Sequence, residues 1–420
     1  MQQRKLGRGV AVVGAGMSKF GAFPGLATRD LFVDAFREML ASVDKGFDAQ
    51  DIEALYIGNF SSDLFEGQAH VAPIMADWVG LTPRPATRIE DACASSGVAL
   101  REGIIAIASG LYDIVLVGGI EKMTDLPTAR VTDTLATAAD VTYEVAAGFT
   151  FPGLYASMAT AYMAAYDAPV DAFLKVGLKN HENGALNPKA QFGQRIADIM
   201  EIRKASAIKK GRPAPTWADE MAFLTDERAN PTIAWPMRLY DCSPISDGAA
   251  ALLLVSEELA TRFSAAPLYV AGTGQASDGA THDRPILTGI PAAQRAAQMA
   301  YAMAGITPAD IDLAEVHDCF TIAEIMASED LGFFAPGEGW RAAVEGRTAR
   351  AGDRPINCSG GLKSKGHPVG ASGAGQVLEI WKQLRGEAGA RQLPGEPRFG
   401  LTHNVGGTGQ TCAVHIFERR

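Results

Sequence analysis

The segment VAVVGAGMSKFG at residues 10–21 returns as LYVAGTGQASDG at residues 268–279. In each, an apolar run leads into a glycine pair and then a small polar stretch, so a strand ending in a glycine turn is expected twice. A second echo pairs the glycine-rich helix start after Cys93 with the one after His367. Repetition at this separation describes an α/β chain of two similar halves, residues 1–265 and 266–420. A length of 420 residues suits two or three domains at about 150 residues each.

Between the echoes, Leu31, Phe32, Ala35, Phe36, Met39 and Leu40 recur at helical spacing. Residues 55–58 form a short strand, 95–109 a helix and 113–117 (DIVLV) a buried strand, an alternation that signals an α/β protein. From about residue 124 to 240 strand-like runs are few. Alanines, turn clusters and a basic stretch (Arg203, Lys204, Lys209, Lys210, Arg212) replace them, so a mostly helical insertion is expected within the first half. Sheet patterning resumes at 249–255 and closes at 411–417. Gly14 and Gly16 invite a dinucleotide-binding reading, but the third glycine of that fingerprint falls on Lys19, so no nicotinamide cofactor is expected.

The formal charge is −10, without the basic balance that marks nucleic-acid binders, so no nucleic-acid partner is expected, while an anionic ligand can still bind where cations collect locally. No apolar stretch is long enough to span a bilayer, and the N-terminal residues lack the apolar core of a secretion signal. Five cysteines at irregular spacing, with no CxxC pair, argue against a disulfide framework or a zinc ribbon. They suit a cytoplasmic protein with a free reactive thiol, and no metal is expected.

Four segments carry chemistry. Cys93, in DACASSGVAL, sits between a strand and a helix start, where the helix N-terminus favours a thiolate and backbone amides can hold an oxyanion. Alone it would read as a structural cysteine. His367, in GGLKSKGHPVGASG, is an imidazole on a glycine-rich loop that lets a ligand approach the backbone. EVHDCFTIAE presents His317 and Cys319 two residues apart, hence on one side of an extended segment, with Asp318 expected as a helix cap. HNVGGTGQTCAV, from His403, supplies a glycine loop suited to lining a pocket. Cys412 is expected in the core, and Cys242 and Cys358 have no activating neighbour in sequence.

Together these segments, in this order, resemble the thiolase superfamily over nearly the whole chain. The HDCF form, KNHENGALNPKAQF, SDGAAA and HNVGG resemble its sterol-carrier-protein type. Two departures stand out. Asn404 occupies the place where most thiolases carry a second catalytic cysteine, and the segment 200–236 is longer than usual.

The resemblance implies a five-layer α/β/α/β/α fold of two matching halves with an inserted loop domain at about 124–240. It implies acyl-CoA and CoA as ligands, no cofactor beyond CoA thioester substrates, a homodimer or homotetramer, and in some relatives a small zinc-ribbon/OB-fold partner. It also implies roles. Cys93 would take the acyl group and His367 would activate it; His317 with His367 would stabilise the enolate. The amides of Cys93 and Gly406 would form a second oxyanion hole, and Cys319 would move the α-proton. Ser243 would contact CoA. Lys209, Lys210 and Arg212 are candidates for its phosphates, ahead of Lys363 and Lys365. A ketoacyl synthase and a same-fold retro-aldol lyase are the rival enzymes, and a non-catalytic scaffold is the rival outside catalysis.

Overall fold

A methyl group added to Gly16 would meet Met39 N at 2.2 Å and Ala35 O at 2.3 Å, the backbone of the helix Thr28–Ala41. One added to Gly274 would lie 2.0 Å from Ala296 O, and at Gly272 2.2 Å from Ala300 O, in the helix Pro291–Ala304. The computed structural model, which describes residues 5–420, therefore corrects one expectation. The echoed glycines do not end strands in turns. They lie within strands and let a helix backbone press onto the sheet, a close approach that any Cβ would block.

The strands are β1 (Val10–Met17), β2 (Ala54–Gly58), β3 (Ala86–Ile89), β4 (Ile114–Glu121), β5 (Thr232–Ala234), β6 (Met237–Arg238), β7 (Gly248–Ser256), β8 (Leu268–Ser277), β9 (Leu313–Glu315), β10 (Phe399–Gly406) and β11 (Thr411–Arg419). Nine join in the order β3-β2-β4-β7-β1-β8-β11-β10-β9, and β5 with β6 makes a small separate hairpin. From β1 outward the pairing runs antiparallel to β7, antiparallel to β4, then parallel to β2 and β3. From β8 outward it runs antiparallel to β11, antiparallel to β10, parallel to β9, and ends in a parallel bridge from Ala314 to Ile356. The same topology occurs twice, joined by a short antiparallel pairing of β1 with β8.

Three apolar cores define the layers. The helices Ser95–Ala108 and Ser372–Arg385 pack on each other and on the central strands, burying Leu100, Ile104, Val377 and Ile380. Leu31, Phe32 and Met39 cover the outer face of the first sheet, and Ala296, Ala300, Ile322 and Met326 that of the second. The fold is thus the five-layer α/β/α/β/α arrangement. Between β4 and β7 the chain departs into the helices Phe151–Tyr166, Val170–Gly184 and Ile196–Lys209, with a small core around Leu174, Ile196, Phe223 and Leu224.

Candidate active site

Both central helices start at the same end of the sheets, and both starts carry chemistry. Cys93 lies two residues before Ser95, on an elbow where Ala92 takes φ +49°. That left-handed conformation costs a non-glycine residue roughly 1–2 kcal/mol. Local bonds hold it: Ala92 N–H donates to Glu90 Oε1 (2.7 Å), Asp91 N–H to Ser95 Oγ (2.9 Å), and Ser95 Oγ to Ala92 O (2.6 Å).

His367 precedes the other central helix and His317 follows β9. Their rings stand nearly perpendicular, centroids 5.1 Å apart, and their ligand-type nitrogens and Cys93 Sγ all lie within 4.8 Å of one another. Each Nε2 is buried without a protein partner. The network assigns the two rings opposite tautomers. Asn404 Oδ1 accepts from Gly97 N–H (3.2 Å), which orients the amide, so Asn404 Nδ2 donates to Cys93 O (3.0 Å) and to His317 Nδ1 (3.3 Å). With Nδ1 accepting, the proton of His317 sits on Nε2 and points into the site. Ser372 Oγ gives its proton to Pro368 O (2.8 Å) and so accepts from His367 Nδ1 (2.7 Å), which leaves the His367 Nε2 lone pair facing inward. One imidazole is a donor, the other a base. The spacing of the three groups could suit a zinc ion, but a protonated His317 Nε2 has no lone pair to offer one.

Electrostatics agree with a neutral resting site. Burial pushes the Cys93 thiol up to about 12, against the opposing Gly407 N–H, and pulls His367 down to about 3, with Lys365 adding to the fall. Burial, with His367 and His403 adding, also holds His317 well below the usual imidazole range. The thiolate expected from the helix start is therefore not the resting species: desolvation outweighs the helix N-terminus here.

The Gly407 N–H favours the Cys93 thiolate against the effect of burial, and Gly406, the residue expected from the sequence, precedes it in the chain. Gly406 ends β10 and packs against Asp91 O. Cys319 is buried and lines the same apolar cavity of about 150 Å³ as Cys93 and His367. Met123, Thr132, Leu135, Phe151, Ile245 and Val369 wall that cavity. Ser243 lines it too, its N–H donating to Cys319 O (2.9 Å). So does Cys242, which sequence reasoning had set aside. A wider open groove beyond the elbow, near Arg88, Glu90 and Gln410, shares Gly407 but not the side chains of Cys93, Cys319 or His367.

Asp318 is a cap, though of a distant helix. It accepts from the backbone N–H of Leu362 (2.6 Å) and Lys363 (3.3 Å), at the start of Gly361–Lys365, and from Asn180 Nδ2 (2.7 Å). Lys365 is buried beside Glu315 (3.5 Å), and Lys363 is buried between the rings of Phe192 and Tyr240, so neither is on the surface. Lys209, Lys210 and Arg212 are exposed at the end of their helix and do not line the cavity. Cys358 and Cys412 are core residues. Sequence reasoning missed Asn404, Ser372 and Gly407; the HNVGG loop pointed to two of these, but only as a missing cysteine and a glycine run.

Residues 10–258 match the family described as "Thiolase, N-terminal domain", and residues 274–419 "Thiolase C-terminal domain-like". An acetyl-CoA acetyltransferase from Methanothermobacter thermautotrophicus is 46% identical, over 98% of this chain and 100% of that protein. Sterol carrier protein 2 from Bos taurus is 32% identical, over 99% of this chain and 73% of its own length. Among solved structures, the Ltp2-ChsH2(DUF35) aldolase superposes with TM-score 0.79 over 99% of both chains at 23% identity, a likeness of fold. With both family domains in order along its length, this chain belongs to the thiolase family.

Proposed function

We propose that the protein is an acyltransferase that joins or cleaves acyl groups at CoA thioesters through an acyl-Cys93 intermediate, with the following division of labour. The carrying observation is the convergence of Cys93 Sγ with two imidazoles held in opposite tautomers. His367 Nε2 takes the Cys93 proton as sulfur attacks the thioester, then passes it to the departing CoA sulfur. The N–H groups of Cys93 and Gly407 face the developing oxyanion. In the second half, Cys319 gives its proton to His367 and the resulting thiolate takes the α-proton of the incoming acyl-CoA. His317 Nε2–H stabilises the enolate oxygen. The enolate attacks acyl-Cys93, and the expelled sulfur recovers the proton from His367. Thiolysis is the reverse. Every step uses the chain's own groups, so no cofactor is assigned.

A cavity of about 150 Å³ is smaller than the ~300–1,000 Å³ of drug-sized pockets and favours short acyl chains. Lys209, Lys210 and Arg212 are proposed to meet the CoA phosphates, and Ser243 the chain near the thioester. A two-half division at about residue 265, a homodimer or homotetramer, a cytoplasmic location and a small zinc-ribbon/OB-fold partner belong to the same proposal. The doubled strand topology supports the first, and the description of the aldolase neighbour as an Ltp2-ChsH2(DUF35) assembly motivates the last. No helix among the described residues is long and apolar enough to cross a membrane.

CoA-dependent thiolysis across a panel of 3-oxoacyl chain lengths tests the function. Cleavage fastest for the short chains supports it. Cleavage of β-hydroxyacyl thioesters without free CoA would instead identify a retro-aldol lyase.

A further inference from the structure

Tyr155 has no part in the division of labour above, yet it packs on Phe320, the residue next to the second cysteine, and shares that cysteine's apolar core. It lies in the helix Phe151–Tyr166 and is completely buried, its ring stacked on Phe320 with centroids 4.6 Å apart. Its hydroxyl donates to Gly407 O (3.1 Å). Burial pushes its phenol well above the usual range, Cys319 and then Cys93 add to the rise, and Arg284 opposes it. A phenol has one proton, and here it has two neighbours able to accept it: a carbonyl at rest and a sulfur when that sulfur is charged.

We propose that Tyr155 is a positioning residue for Cys319, its hydroxyl turning from Gly407 O to the Cys319 sulfur when that sulfur is a thiolate. The inference rests on the role assigned to Cys319 above. Cys319 sits where a thiolate is costly. Burial, Cys93 and Asp318 raise its pKa, while the Tyr155 hydroxyl and the Phe320 N–H favour the charged form. In the step concerned, the Cys319 S–H bond breaks as His367 accepts the proton, and it re-forms when the α C–H bond of the acyl-CoA breaks. The Tyr155 O–H bond stays intact and only changes acceptor. A hydrogen bond to a charged group is among the stronger ones a protein makes, so its loss should be visible in rate.

The test is Tyr155→Phe, which keeps the ring and its stacking. Two rates are compared across pH: acylation of Cys93 by acetyl-CoA, followed by mass, and exchange of acetyl-CoA methyl protons with heavy water. The expected result is near wild-type acylation, a roughly ten- to hundred-fold loss of exchange, and an exchange profile moved to higher pH. In a Cys319→Ala background, Tyr155→Phe should add nothing. Wild-type exchange with an unmoved profile would overturn the inference, as would equal loss of both rates, which marks a purely structural role. If Cys319→Ala itself keeps wild-type exchange, the role of Cys319 fails, and this inference with it; if Cys319→Ala abolishes exchange while Tyr155→Phe does not, only the inference fails.

Discussion

Asn404 Nδ2 lies 3.3 Å from His317 Nδ1 and 3.0 Å from Cys93 O, so a single amide orients the His317 imidazole and anchors the Cys93 peptide. The amide fits because both central helices present glycine to it. A Cβ at Gly97 or Gly373 would lie 2.7 or 2.2 Å from Asn404 Oδ1. Asn404, which the resemblance placed at a cysteine position, here bonds to both the Cys93 carbonyl and the His317 ring.

Asn404→Asp changes little in shape but turns the donor into an acceptor. His317 would then carry its proton on Nδ1 and present a lone pair at Nε2, removing the enolate's donor. Condensation is expected to fall by roughly two to three powers of ten, while acylation of Cys93 falls much less. Single-turnover acylation set beside steady-state condensation measures the split, and equal losses in both would contradict the tautomer assignment.

The neutral resting pair predicts how Cys93 reacts. Burial pushes its thiol up to about 12 and pulls His367 down to about 3, so both groups are expected to be neutral at pH 7. Alkylation of Cys93 by iodoacetamide should rise about tenfold per pH unit from pH 7 to 10, without the plateau that a thiol of unperturbed pKa ~8.5 would show. Mass mapping of the Cys93 peptide against time gives the rate. A flat profile above about pH 5 would reveal a preformed ion pair.

Much of the fold was legible because its determinants are local. The buried strands are continuous apolar runs such as residues 249–255, and the amphipathic helix at Leu31–Leu40 repeats at its own period. The glycine echoes were visible, but their function was not. A glycine kept for a turn and one kept for helix contact look alike until the partner helix is placed. The site divides similarly. Cys93, His317, Cys319 and His367 stand out by residue type within unusual loops, and the structure brings them together. Asn404, Ser372 and Tyr155 act through hydrogen bonds to residues distant in sequence or across a helix turn, and nothing local marks them. Cys242 reaches the cavity wall through its backbone bridge to Phe320, a pairing distant in sequence that no local pattern marks.

The helix-contact glycines give a stability test. Gly274→Ala places a Cβ 2.0 Å from Ala296 O and must displace a helix backbone. It should destabilise the protein by ~1–3 kcal/mol or more. Gly279→Ala is the control, since its Cβ would meet only Asp283 Cβ at 3.7 Å, and it should stay within ~0.5 kcal/mol. Urea midpoints at unchanged slope measure both. A neutral Gly274→Ala would mean that the strand and helix are not pressed together at this point.

The central claim is that Cys93 carries the acyl group while Cys319 serves the enolate step. Incubating the enzyme with acetyl-CoA, quenching in acid and mapping peptides by mass tests it directly. The account predicts a 1:1 acetyl adduct on the Cys93 peptide, retained in Cys319→Ala and absent in Cys93→Ala. An adduct on Cys319, or no adduct from an enzyme that still cleaves its substrate, would contradict it.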